Sequence, residues 1–245
     1  GVNDTPVTIG TIGTQTHDDS DTIVPIDVTG FFDDPDSSDV LTYSATGLPP
    51  GLSIDPNTGI LSGTIGSSAS AGGPYSVQIT ANDGNGGTVT QSFTWNVNNP
   101  APDAVDDGFG AGEDDASAVV GNAITNNDSD PDGDLLSAIA QSNVAGSNGG
   151  LFSIAANGDV SFDPNGSFED LAAGETRTTS FAYTLVDADG ATDTATVTVT
   201  VTGVNDTPVT IGTIGTQTHN DSETIVPIDV TGFFDDPDTS DALTY

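Results

Sequence analysis

The sequence predicts an all-β protein, a tandem series of seven-stranded antiparallel β-sandwiches strung into an elongated rod. Three observations predict it. Apolar and polar residues alternate through runs such as Tyr75, Val77, Ile79 and Ala81, the period of a half-buried strand. Turn residues punctuate the chain, with Asp83 to Gly87 and Asn157-Gly158 reading as tight hairpin turns. Finally, Gly1 to Tyr43 recurs as Gly203 to Tyr245 with only four mild exchanges, Asp18/Asn220, Asp21/Glu223, Ser37/Thr239 and Val40/Ala242. The repeating unit is therefore about 200 residues, room for two sandwiches rather than one.

In chain order, Val7 to Ile12 reads as a short first strand and Thr14 to Asp21 as a polar loop. Thr22 to Val28 follows as a strand, with Pro25 placing it at an edge or bulge. Phe31 to Asp39 is an acidic turn, and Leu41 to Ala45 resumes strand. Asn57-Thr58-Gly59 is a tight turn before a strand over Ile60 to Ile65, and Gly66 to Gly73 is a small-residue loop. After the Tyr75 strand and its hairpin, Val89, Phe93, Trp95 and Val97 line one face of the last strand.

Asn98 to Asp103 is a linker whose prolines limit flexing. The plan then repeats, with a strand after Asp106-Asp107, another over Ala118 to Ile124, and an acidic turn over Asn127 to Asp134. Strands follow over Phe152 to Ala155, Val160 to Phe162, the alternating Phe181, Tyr183 and Leu185, and the alternating Val197, Val199 and Val201. No segment shows helical periodicity, and Ala172 to Glu175 makes at most one turn. The expected divisions are 1–99, 100–203 and a partial copy of the first over 204–245. The chain opens on a linker and stops inside a strand, so it reads as a piece of a longer protein.

Lys and Arg total 1 against 37 Asp and Glu, a formal charge of −36. Phosphate recognition needs clustered Lys and Arg, so nucleic acid and anionic membrane are excluded as partners. No apolar run is long enough for membrane insertion. Cys is absent, so neither disulfides nor thiol chemistry contribute. The acids have almost no basic partners, and their repulsion opposes a compact state unless cations neutralise it or a high-salt habitat screens it.

Strands that alternate up and down bring the entry linker, the acidic turn and the last hairpin to one end of each sandwich. In the first sandwich that end gathers Asn3, Asp4, Asp33, Asp34, Asp36, Asp39 and Asp83. In the second it gathers Asp103, Asp106, Asp128, Asp130, Asp132, Asp134, Asp187 and Asp189, and the partial copy offers Asn205, Asp206, Asp235, Asp236, Asp238 and Asp241. The exit end of the preceding sandwich contributes Asp18, Asp19 and Asp21, or Glu113, Asp114 and Asp115 with Glu169 and Asp170. Carboxylates crowded in this way need a counter-charge. Ca²⁺ takes six to eight oxygens in irregular geometry, and the absence of Cys with only two His argues against Zn²⁺. The plainer alternative is that these are solvated turn residues. Asp128-x-Asp130-x-Asp132-Gly133 has the start of an EF-hand, but Ile139 stands where the bidentate Glu belongs.

Asn127 to Asp134, Asp159 to Gly166, Phe181 to Gly190 and the closing Gly203-Val204-Asn205-Asp206-x-Pro208 resemble a VCBS-type bacterial cadherin-like repeat. Gly47-Leu48-Pro49-Pro50-Gly51-Leu52-Ser53-Ile54 and Gly59 to Thr64 resemble the putative-Ig or dystroglycan-type cadherin-like family. The resemblance implies giant secreted bacterial surface proteins, often RTX adhesins exported by type I secretion, with Ca²⁺ stiffening the junctions between neighbouring repeats. It implies ligands at Asn205 and Asp206, at Asp130 and Asp132, at Asp34 and Asp36, at Asp187 or Asp189, and at Asp83. The first linker departs from the pattern: it reads Asn98-Asn99-Pro100, so its site is weaker or draws on Asp103. Asn99 completes the candidate set.

His17 and His219 occupy equivalent positions, read as surface loop, and no residue set points to catalysis. The expected role is a non-enzymatic, Ca²⁺-rigidified extender of a surface adhesin or filament. A carbohydrate- or protein-binding module, and an accessory region of a secreted enzyme, are the alternatives.

Overall fold

The structure is a computed structural model and describes residues 2–245. Two compact units make it up. The first is the chain up to Asp103 together with Ser129–Leu136 and Val186–Asp193; the second is Ala104–Asp128, Ser137–Leu185 and Thr194–Tyr245.

In the first unit, β1 (Val7–Thr8) precedes β2 (Gln15–Asp18), β3 (Ile26–Asp27) and β4 (Phe32–Asp33). They are followed by β5 (Thr42–Thr46), β6 (Leu52–Ile54), β7 (Ile60–Gly63), β8 (Tyr75–Asn82) and β9 (Thr88–Asn98). One sheet runs β2-β9-β8-β5, a second β3-β7-β6, and β1 pairs with β4. The alternation read from the sequence sorts the side chains. Val77, Ile79 and Ala81 of β8 and Trp95 of β9 are fully buried against Leu61 of β7 and Val28. Gly59 and Gly63 hold positive φ at the two ends of β7, where a Cβ at Gly63 would meet the Gly51 carbonyl oxygen at 2.3 Å.

The second unit contains β10 (Asp107–Gly112), β11 (Ala118–Asn122), the helix α1 (Ala123–Asn127), β12 (Ser137–Ala138) and β13 (Gln141–Ala145). Then come β14 (Leu151–Ile154), β15 (Asp159–Asp163), β16 (Thr176–Val186) and β17 (Thr192–Thr202). Its sheets run β10-β17-β16-β12 and β11-β15-β14-β13. Phe152, Phe162, Phe168, Tyr183 and Leu185 form its aromatic-rich interior, with the Phe152 and Phe181 rings stacked at 4.6 Å.

Three expectations are corrected. The sheets are not purely antiparallel: β2 pairs parallel with β9 and β10 parallel with β17. A first strand that runs the same way as the last closes the sheet edge beside it, and the polar Gln15–Asp18 segment serves because an edge needs only its backbone. The strand expected to reach Ile124 stops at Asn122, whose side chain accepts the Thr125 amide at 2.9 Å and caps α1. His17 is a strand residue, its ring 5.4 Å from Trp95, rather than a loop residue.

Of the first copy's strand pairings, the third copy keeps, among the described residues, the β18 (Val209–Thr210) to β19 (Phe234–Asp235) pairing that matches β1 with β4. Ile214, Ile225 and Tyr245 are 46, 61 and 63% exposed where Ile12, Ile23 and Tyr43 are 6, 4 and 7% exposed. Residues 44–98, which supply most of the core around Ile12, Ile23 and Tyr43, have no second copy within the sequence. No described helix is long and apolar enough to cross a membrane.

Candidate metal centres

The first acidic cluster lies in the first unit and joins the start of the chain to two turns. Asn3 Nδ2 donates to Asp83 Oδ2 at 2.9 Å, and the Asp4 amide donates to Asp36 Oδ2 at 2.8 Å. The β8–β9 turn fixes Asp83, whose carboxylate also accepts the Asn85 and Gly87 amides; with the Asn3 hydrogen bond leading, these hold its pKa below the usual range. Asp34 is fixed by the Asp36 amide at 2.8 Å. Oxygens of Asp34, Asp39 and Asp83 lie within 4.8 Å of one another, and Asp34 Oδ2 is buried with no donor.

The second cluster is also in the first unit. Asp19 is held by its amide to the Asn98 carbonyl at 2.9 Å, and its Oδ1 accepts the Ser70 amide at 2.9 Å. Asn99 Nδ2 donates to Asp187 Oδ2 at 3.0 Å, and Asp187 Oδ1 takes the Gly190 and Ala191 amides. Asp130 Oδ1 accepts the amides of Asp132, Gly133 and Asp134 at 3.1–3.2 Å, which folds the Asp-Pro-Asp-Gly-Asp turn around it. Buried oxygens without any donor then remain on Asp19, Asn99, Asp130, Asp132, Asp134 and Asp189. Burial, the adjacent Asp130 carboxylate and the charges of Asp134 and Asp19 push the Asp132 carboxyl up to about 7. Burial and Asp189 raise Asp134 as well.

Two predicted ligands are placed differently. Asp103 is bridged to Ser129 through both backbones, at 2.8 and 3.2 Å, as Val7 is to Asp33. Asp128 belongs to the second unit, where its carboxylate accepts the Val105 amide at 2.8 Å and the Tyr183 hydroxyl at 2.9 Å. Burial and the Asp128 and Asp107 carboxylates push the Tyr183 phenol upward.

The third cluster is in the second unit. The Asp206 amide donates to Asp238 Oδ2 at 2.9 Å, and Asp236 Oδ1 accepts the Asp238 amide at 3.2 Å. Asn205 turns its Nδ2 back onto the Asp206 carbonyl. Glu113 is 3% exposed and accepts the Val204 amide through Oε1; Asp238 is 1% exposed. Three groups of carboxylate oxygens lie within 4.8 Å: Glu113/Asp206/Asp238, Asp114/Glu169/Asp206 and Asp236/Asp238/Asp241. Asp206 and Asp238 are each shared between two of them. Glu113 Oε2, Asp206 Oδ2 and Asp238 Oδ1 are buried with no donor. Burial raises the Glu113 and Asp206 carboxyls, and neighbouring acids add to it.

A buried carboxylate oxygen without a donor is costly, and these occur in groups. Each set offers oxygen only, the donor chemistry a hard divalent cation takes. Asp19, Asp39, Glu113, Asp114, Glu169 and Asp241 join the sets although the ligand motifs did not single them out. The signal for Asp19, Glu113, Asp114 and Glu169 lay in the exit-loop argument, and it needed the strand pairings that set Asp19 beside Asn98 and Glu113 beside Thr202; Asp39 and Asp241 lay among the acids gathered at the entry end.

Two family models match successive stretches of the sequence. Residues 99–203 match the family described as bacterial cadherin-like domain, and residues 5–98 match the putative Ig domain family. No curated protein matches the sequence. Among solved structures, mouse cadherin-23 EC22-24 is similar at 16% identity and TM-score 0.38, over 81% of this chain and 64% of that one. Drosophila N-cadherin EC1-4 is similar at 13% identity and TM-score 0.37, over 81% and 50%. The endo-fucoidan hydrolase MfFcnA4 from glycoside hydrolase family 107 is similar at 19% and 0.37, over 81% and 29%. The chain thus spans less than two thirds of each of these structures, and similarity at this level assigns it no function.

Proposed function

We propose that this chain is a non-catalytic extender segment of a secreted bacterial surface protein, in which Ca²⁺ bound at the ends of successive sandwiches stiffens the array. One observation carries the reading: carboxylate oxygens that are buried and lack any donor occur in all three clusters, one in the first and several in each of the others, on a chain of charge −36. A bound Ca²⁺ supplies the counter-charge that the sequence omits. The ligands are Asn3, Asp4, Asp34, Asp36, Asp39 and Asp83 in the first cluster. In the second they are Asp19, Asn99, Asp130, Asp132, Asp134, Asp187 and Asp189. In the third they are Glu113, Asp114, Glu169, Asp206, Asp236, Asp238 and Asp241. The shared Asp206 and Asp238 let the third cluster take more than one ion.

The near-identity of Gly1–Tyr43 and Gly203–Tyr245 supports length as the selected property, with module boundaries at 1–99, 100–203 and 204–245. The second module is of VCBS type, the setting an RTX-type adhesin exported by type I secretion, and the array serves adhesion, biofilm or a filament.

The test is thermal unfolding of the whole chain with Ca²⁺ and with chelator. Ca²⁺ at 100-fold above Kd should add about 2.7 kcal/mol per site, and small-angle scattering should show the chain stiffening. Identical melting curves with and without chelator would overturn the reading.

A further inference from the structure

The two linkers align through their contacts. Asn99 reaches Asp187 as Asn3 reaches Asp83, and Asp103 pairs with Ser129 as Val7 pairs with Asp33. Asn99 is therefore the counterpart of Asn3 and of Asn205, and Pro100 is the counterpart of Asp4 and Asp206. The linkers differ by one position from the register in which Asn98-Asn99 would face Asn205-Asp206.

This substitution has two consequences. Asp4 and Asp206 each donate a backbone amide to the second Asp of the acidic turn, Asp36 or Asp238, at 2.8 and 2.9 Å. Proline has no N–H. Asp132, which follows Asp130-Pro131 as Asp36 follows Asp34-Pro35, accordingly has both carboxylate oxygens buried without a donor. Pro100 also supplies no carboxylate, whereas the Asp206 carboxylate belongs to two of the 4.8 Å groups. Among the described residues, the Asp132 cluster holds no such group of three acids. Its oxygens must draw together when an ion enters, and like charges resist that in the empty state.

Resting on the Ca²⁺ reading above, we propose that Pro100 ranks the cation sites. The clusters that carry a linker Asp fill first, the Asp132 cluster fills last, and the chain responds to Ca²⁺ in two steps.

The experiment is calorimetric Ca²⁺ titration of the whole chain, with Trp95 emission followed in parallel. Trp95 is the only tryptophan, and it lies on β9, whose end meets Asp19. Trp95 should report a late class of sites, weaker than the early class by about tenfold or more, since the rigidity with which a site presets its oxygens tunes Kd over decades. Asp206→Asn should remove part of the early class and leave the Trp95 transition where it was. Pro100→Asp should move the Trp95 transition about tenfold toward lower Ca²⁺. A single class of sites overturns the ranking, as does an Asp206→Asn variant that shifts the Trp95 transition. A folded Pro100→Asp variant with an unmoved transition does so too. If Pro100→Asp fails to fold, the Asp206→Asn result decides. Absence of any heat and any emission change at millimolar Ca²⁺ removes the cation reading itself.

Discussion

Asn99 donates its side-chain amide to Asp187 Oδ2 at 3.0 Å, and its own Oδ1 is buried with no partner. The linker is thereby tied to the β16–β17 turn by one arm and presents an oxygen with the other. The same tie joins Asn3 to Asp83 at 2.9 Å, so it is a built feature of the repeat and not an accident of one loop.

Asn99→Ala removes a donor from a carboxylate that is 5% exposed. A hydrogen bond to a charged acceptor of this kind contributes about 1.5–3 kcal/mol. The variant should lose stability of that order in urea unfolding, and it should need more Ca²⁺ to recover it. Asn99→Asp should be worse than Asn99→Ala under chelation, because it sets a second charge against Asp187, and should recover more on adding Ca²⁺.

Stability without cations should depend on pH in an unusual direction. Asp132 has an unperturbed value of 3.8 and is pushed up to about 7 in the fold. Between those values the folded chain keeps a proton that the unfolded chain has released. Stability is then greatest toward the acid side of the window and declines as pH rises from about 4 to about 7. Denaturant unfolding under chelator at pH 5 and pH 8 checks this; the midpoint should be higher at pH 5. Asp132→Asn should flatten the difference, and saturating Ca²⁺ should reverse it by favouring the ionised form.

The strand plan was legible because Val, Ile, Thr and aromatic residues alternate so cleanly in β8, β9, β16 and β17. The acidic turns were legible because Asp-Pro-Asp recurs at Asp34, Asp130 and Asp236. What escaped was whatever depends on backbone pairing alone. Gln15–Asp18 carries no apolar alternation, yet it forms an edge strand through its main chain. The linker register escaped for a related reason: two adjacent asparagines, Asn98 and Asn99, are alike in sequence. Only the contact to Asp187 separates them, since Asn98 ends β9 and turns its side chain to Asp18.

Glu113→Gln separates charge from shape in the third cluster. Glu113 is almost fully buried beside Asp206 and Asp238, and its Oε2 has no donor. A neutral amide of the same size removes one buried negative charge and brings a donor to oxygens that lack one. The chelated variant should therefore melt higher than the chelated parent, and the increment on adding Ca²⁺ should shrink. Paired melting scans with and without Ca²⁺ check both signs, and a variant that melts lower under both conditions would assign Glu113 a purely structural part.

Arg177 is the only Lys or Arg in the chain, and it acts on a single loop. It grips Asp170 through both guanidinium nitrogens at 2.9 and 2.6 Å and lies over the Phe168 ring at 5.9 Å. The Asp170 carbonyl meanwhile accepts the Thr239 amide and hydroxyl, so the loop also receives the third copy's acidic turn. The hydrogen bonds from Arg177 hold the Asp170 carboxyl below its usual range. That contribution is present above the unperturbed value of 3.8 and is lost as pH falls through the lowered folded value. Both side chains are partly exposed, so water and salt screen the pair. Arg177→Gln should cost about 1 kcal/mol in Ca²⁺-saturated protein, from the bidentate pair and the ring contact together. Arg177→Lys should restore only part of it, because an ammonium cannot make the planar two-point contact. Urea unfolding at pH 7 and again at pH 3 separates the terms: the Arg177→Gln deficit should narrow at pH 3, below the unperturbed value of 3.8 at which the unfolded chain's Asp170 takes up its proton, while the share owed to Phe168 stays.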